Sequence, residues 1–194
     1  MISKLLPNTI KNILSPHITL EHFGFFSNRR IQDDVAIVQE CIHSIKTRKL
    51  RSCLMKIDLN RAYDCVDWEF LIMILYKVGF THRHFQWIKA RIYTTYMVVL
   101  INGEPTQLFK IHWGLHQGCV LSPLLFILVM DAFGRGIKAM MKVGLTSSCN
   151  ISRNCILSHI LFVDDVLYIG EEKYSKWVSF HKVFENLAKM LVCS

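Results

Sequence analysis

The sequence predicts an α+β domain, an antiparallel sheet with helices packed on one face. Short apolar runs break at carboxylates, first at Leu54 to Leu59 with Asp58 and again around Asp164–Asp165. An Asn102–Gly103 pair stands between two more strand-like runs, and that dipeptide is the strongest short-range hairpin signal. Elsewhere apolar residues recur at helical spacing behind capping residues.

The elements follow in order. MISKLLPNTIKNIL reads as an amphipathic surface helix; Pro7 and Asn8 interrupt its apolar run, no small-residue cleavage site follows, and it is not a signal peptide. Residues 33–47 place Val35, Val38, Ile42 and Ile45 on one helical face behind the acidic Asp33–Asp34 start, which the helix dipole favours. Leu54 to Leu59 is a buried strand ending beside Asp58. Asp67 caps a helix carrying Trp68, Leu71, Ile72 and Leu75, and Gly79 stops it. Thr81 caps another with Phe85, Ile88 and Ile92. Tyr96 to Ile101 and Gln107 to His112 form the hairpin around Asn102–Gly103. Ser122 caps a long buried helix running from Leu121 to about Lys142, with Pro123 in its first turn. Leu157 to Val163 and Val166 to Ile169 are strands joined by a tip of two carboxylates, and helical periodicity resumes after Glu171.

The composition bounds the partners. A formal charge of +8, with cations grouped at Arg29–Arg30 and from Lys46 to Arg51, suits a polyanion whose counterions are released on binding. Seven scattered cysteines without a CxxC pair point to reduced thiols and an intracellular compartment. Cys149, Cys155 and His159 fall short of a zinc site, because no second ligand pair stands at a compatible spacing. The longest apolar stretch, Cys119 to Met130, is broken by Ser122–Pro123 and is shorter than the ~20 residues a membrane crossing needs. A mean hydropathy of +0.28 is high for a self-contained domain and predicts exposed apolar patches.

The chemistry lies in the acids. Asp58 at one strand end and Asp164–Asp165 at a hydrophobic hairpin tip are costly to desolvate unless a cation compensates. Two strand ends meeting in one sheet gather three carboxylates, a donor set suited to magnesium and to nucleotidyl transfer between two ions. The alternative is that these acids only cap turns. A DDxxD prenyl-diphosphate site fails as an explanation, since Ile37 and Tyr168 occupy the fifth positions of motifs beginning at Asp33 and Asp164.

Four segments then resemble the blocks of reverse transcriptases from non-LTR (LINE-type) retrotransposons, plant ones in particular. KIDLNRAYDCVDWEFL (Lys56 to Leu71) looks like the first palm block, GLHQGCVLSPLLFILVMD (Gly114 to Asp131) like the second, and SHILFVDDVLYIG (Ser158 to Gly170) like the third. FGFFSNRRIQDDVAIVQECIHSIK (Phe23 to Lys46) resembles the fingers-side block. The resemblance implies an RNA-directed DNA polymerase, with residues 1–194 forming a single partial domain: about 1–50 fingers-side helices and about 51–194 palm. FENLAKMLVCS resembles the start of a fourth block, so the primer grip and the thumb are expected to be absent from this fragment.

The resemblance also implies roles. Asp58 and Asp164 are the metal ligands, and Asp165 completes the acidic cluster that holds two Mg2+ ions, with Mn2+ as an alternative. Tyr63 takes the position of an aromatic that excludes a ribose 2′-OH; it also reads as a core tyrosine. Gln117 and Gly118 lie against the incoming nucleotide. Arg29 contacts phosphate, while Arg30 is a second nucleic-acid contact or a solvated neighbour. Trp113 and His116 stand where the family has arginines, with His116 as a partial substitute at the template, and Val120 replaces a proline. Expected partners are an RNA template, a DNA primer, dNTP, and the thumb and remaining fingers of a full-length enzyme, with no membrane. Family analogy gives the nucleus or cytoplasm. The competing reading is a catalytically inert retrotransposon remnant that at most binds nucleic acid.

Overall fold

A computed structural model describes residues 2–23, 30–116, 118–152 and 155–191. Its centre is a four-stranded sheet ordered β1-β9-β10-β2, built from β1 (His22–Phe23), β2 (Ser52–Asp58), β9 (His159–Phe162) and β10 (Asp165–Glu171). β1 runs parallel to β9, and the remaining neighbours are antiparallel. Three two-stranded ribbons lie outside it: β3 (Tyr96–Met97) with β6 (Phe109–Lys110), β4 (Leu100–Ile101) with β5 (Glu104–Pro105), and β7 (Cys149–Ser152) with β8 (Cys155–Leu157).

Alternation along the strands sorts side chains between the two faces. Met55, Ile57, Leu161, Val166 and Tyr168 enter the main core. There they meet α1 (Ile2–Leu14), α3 (Trp68–Val78), α4 (His82–Tyr93), α5 (Ser122–Lys142) and α6 (Tyr174–Leu191). α5 is the spine of this layer, buried without a break from Leu124 to Asp131. Phe180 of α6 stacks on Tyr168 at 3.9 Å between ring centres. α1 is amphipathic as expected, with Ile10 and Leu14 fully buried. The opposite face is covered only in part: Cys41, Val38 and Ile45 of α2 (Ile31–Thr47) pack on Leu54, Ile160, Leu167 and Ile169. Helices therefore reach both faces.

Local signals explain most boundaries. Asp67 accepts a hydrogen bond from the Phe70 N–H at 2.8 Å and so caps α3. Asp33 accepts from the Arg30 N–H at 3.4 Å at the start of α2. Thr81 precedes α4, but its hydroxyl meets His84 Nδ1 at 2.7 Å instead of capping the helix backbone. Asn102 and Gly103 have φ of 53° and 89°, the paired positive values of a type I′ turn. The returning strand begins at once with Glu104–Pro105, earlier than the predicted Gln107.

Two further expectations are corrected. Ser122 is not a cap: Leu121 precedes the helix, and the Ser122 hydroxyl donates to the His116 carbonyl at 2.7 Å. The hairpin tip is Val163–Asp164 rather than Asp164–Asp165, because Asp165 already pairs with Phe162 and with Asp58. Val163 bears the turn at a φ of 53°, a conformation a β-branched residue rarely adopts. No helix among the described residues is long and apolar enough to cross a membrane.

Candidate active site

The register between β2 and β10 positions the acids. It runs from Glu171↔Ser52 to Asp165↔Asp58, so the two carboxylates stand opposite each other at the end of the ladder. Directly opposed residues share a face. For this pair it is the face on which α2 packs, and Asp58 is exposed there. Asp164 is exposed in the adjoining turn. From the sequence, Asp58 and Asp164 are expected as metal ligands with Asp165 completing the cluster; the strand register sets Asp165 directly opposite Asp58 and leaves Asp164 in the turn beside them. Among the described residues, no three Asp, Glu, His or Cys side chains are gathered as a ready-made metal cage.

Lys56, two positions before Asp58, places Nζ 3.0 Å from Asp165 Oδ1. That hydrogen bond, reinforced by the charges of Asp165, Asp58 and Asp164, holds its ammonium above the ordinary lysine range. Sequence reasoning missed this residue. The available signal was its two-residue spacing from Asp58 within a strand, which puts both side chains on one face.

Tyr63 leaves the loop after β2 and stacks on Phe126 of α5, with ring centres 4.0 Å apart. It is half-buried against the main core. Burial first, and then the charge of Asp164, push its phenol above the ordinary tyrosine range. Tyr63 is thus a packed side chain that also faces the acidic turn.

The backbone joins the first and second blocks. The Leu115 N–H donates to the Tyr63 carbonyl at 2.7 Å, and the Gly114 N–H donates to the Val66 carbonyl at 2.8 Å. Trp68 Nε1 closes the contact on the Gly114 carbonyl at 2.7 Å. A Cβ on Gly114 would lie 2.4 Å from the Asp64 carbonyl oxygen, and its φ is +81°. Only glycine suits that approach.

His116 and Gly118 line a groove of about 960 Å³, with Arg91 and Lys110 on its wall and the half-exposed Trp113 beside them. Asp58, Tyr63, Asp164 and Asp165 are not among the residues lining it. The groove cations went unread, since they come from a helix and a ribbon with no shared motif. Arg30 is exposed at the start of α2. Arg29 and Gln117 lie outside the described residues.

Comparison with known proteins gives the family and the fold. The family model for the reverse transcriptase (RNA-dependent DNA polymerase) matches residues 1–192. The chain is 25% identical over 133 residues to the transposon TX1 uncharacterized 149 kDa protein of Xenopus laevis, covering 69% of this chain and 10% of that one. It is 24% identical over 132 residues to the retrovirus-related Pol polyprotein from the type-1 retrotransposable element R2 of Popillia japonica, covering 66% and 21%. It is 35% identical over 71 residues to the uncharacterized mitochondrial protein AtMg01250 of Arabidopsis thaliana, covering 36% and 58%. The chain therefore spans a minor part of the two transposon proteins. Apo telomerase from Candida tropicalis shares the fold at a TM-score of 0.63 and 12% identity, over 97% of this chain and 34% of that one. Telomerase from Candida albicans, solved with a fragment of telomeric RNA, does so at 0.62 and 13%, over 95% and 32%. The chain belongs to the reverse transcriptase (RNA-dependent DNA polymerase) family, as a domain of the non-LTR retrotransposon kind.

Proposed function

We propose that this domain carries the nucleotidyl-transfer centre of an RNA-directed DNA polymerase. The observation that carries the reading is the opposition of Asp58 and Asp165 at the end of the β2–β10 ladder, with Asp164 in the next turn. Magnesium takes oxygen ligands and is held by one or two carboxylates plus substrate phosphates, so this exposed, all-carboxylate donor set fits it without a full protein cage. Asp58, Asp164 and Asp165 are the residues that would hold the ions. When bound, a pair of such ions supplies Lewis acidity to the attacking and leaving oxygens.

The chemistry is attack of a primer 3′-oxygen on the α-phosphorus of a dNTP, with pyrophosphate leaving. The protein's share is positioning. Tyr63, fixed by Phe126, offers its ring beside Asp164 and excludes a ribose 2′-OH. Gln117 and Gly118 place the nucleotide, Arg29 and Arg30 neutralise phosphate, and His116 faces the template. The net charge of +8 favours an RNA template and a DNA primer as partners.

Primer extension by the 194-residue chain on an RNA template with Mg2+ tests this against D58N, D164N and D165N. The expected loss is at least ~100-fold for D58N, the scale of one removed electrostatic contact in a transition state. Equal background from all four proteins rejects it. A second reading, a nucleic-acid binder without catalysis, is favoured by Trp113 and His116 standing where the family has arginines. It predicts salt-dependent filter binding that D58N leaves unchanged.

A further inference from the structure

A single ammonium stands among the carboxylates. Lys56 and Asp58 leave the same face of β2, and Lys56 reaches diagonally across the ladder to Asp165, the partner of Asp58. The Lys56 side chain is 65% exposed, so no packing requires it there. A lysine head is a compact point charge on a flexible four-carbon stem and can leave a surface contact at little cost.

We propose that Lys56 is a built-in counter-ion of the acid centre, which relieves the Asp58–Asp165 repulsion when no divalent cation is bound and is displaced when one binds. The inference rests on reading Asp58 and Asp165 as metal ligands. An ammonium 3.0 Å from Asp165 Oδ1 occupies the edge of the carboxylate that a cation needs. The two positive charges repel at such distances and cannot share that edge. Lys56 is a positioning residue, then, and it sets the divalent-cation concentration at which the centre fills.

Mn2+ binding to the full chain, followed by loss of the free-ion electron paramagnetic resonance signal, tests the proposal without any turnover. K56M and K56Q are expected to lower the Mn2+ dissociation constant about three- to tenfold, with the gain shrinking as salt rises. K56R keeps the charge and is expected not to tighten binding. In a D165N background the K56M effect is expected to vanish. Without metal, K56M is expected to melt below wild type, and saturating Mn2+ is expected to close that gap. An unchanged or raised dissociation constant in K56M and K56Q, with D58N still weakening binding, overturns the competition and leaves the metal centre standing. Mn2+ binding that is absent, or insensitive to D58N and D165N alike, overturns both.

Discussion

Asp58 and Asp165 face each other as direct register partners at the end of the β2–β10 ladder. Like charges placed so oppose folding by up to roughly 1 kcal/mol, and Lys56 offsets part of that from one side. D58N should therefore stabilise the metal-free protein by about 0.5 kcal/mol, or about 1–2 °C in melting temperature for a domain of this size. The gain should shrink in about 0.5 M salt, where surface charges are screened. Thermal melts of both proteins in chelator check this. A less stable D58N would mean that Asp58 makes a stabilising contact instead.

The acids were legible because carboxylates inside a strongly apolar strand pair have few structural uses. Their register was not. The apolar runs break at Asp164–Asp165, which put the tip one residue too late, and local rules also prefer Asp to Val at positive φ. The seven-pair ladder with β2 overrides that preference and forces Val163 into the turn. The Asn102–Gly103 turn and the Asp67 cap were read correctly, since their chemistry is local. Ser122 had the right residue type for a cap, but a carbonyl six residues earlier took its hydroxyl. Contacts such as Thr19 with Asp131 join residues 112 positions apart, and no local pattern announces them.

Gly114 makes the next prediction. Its φ of +81° and the 2.4 Å approach of a Cβ to the Asp64 carbonyl leave no low-cost route for alanine. G114A should lose at least ~2 kcal/mol, from backbone strain together with the weakened contacts of Leu115 to Tyr63 and Trp68 to Gly114. Urea unfolding measures it. A loss under about 0.5 kcal/mol, the level of an ordinary surface change, would show that the loop simply moves aside.

Asp131 is buried on α5, yet it holds the loop before β1. Its Oδ1 accepts from both the N–H and the hydroxyl of Thr19 at 2.7 Å, and its Oδ2 accepts from Arg135 Nε at 2.7 Å. Arg135 also donates to the His17 carbonyl, so a single carboxylate organises the whole turn. D131A strands the Thr19 donors while the half-exposed Arg135 stays solvated, and should cost about 2–3 kcal/mol, the scale of hydrogen bonds to a charged group. T19V removes the hydroxyl but keeps the N–H bond, and should cost about 1 kcal/mol. Equal losses in the two variants would place the effect in the hydroxyl alone.

His159 supplies the pH dependence. Burial pushes its imidazole down to about 4; the charge of Glu21 works against this, Lys138 adds to it, and Asp131 again opposes it. The geometry agrees: Nδ1 meets the Ser158 hydroxyl at 2.8 Å, while Nε2 is buried without a hydrogen-bond partner among the described residues, against Gly134 of α5. The unfolded chain takes up a proton near the ordinary value of 6.5, whereas the folded chain resists until about 4. Below about 6.5 the unfolded state therefore binds more protons, and stability falls as the pH drops. At ~1.4 kcal/mol per pH unit, the loss across that window approaches about 3 kcal/mol. Urea unfolding of wild type and H159L at pH 7 and pH 4.5 separates this from general acid effects. The variant should lose about 2 kcal/mol less than wild type over that interval, whatever its starting stability. Parallel losses would mean that His159 is already protonated in the folded protein or is not what senses the acid.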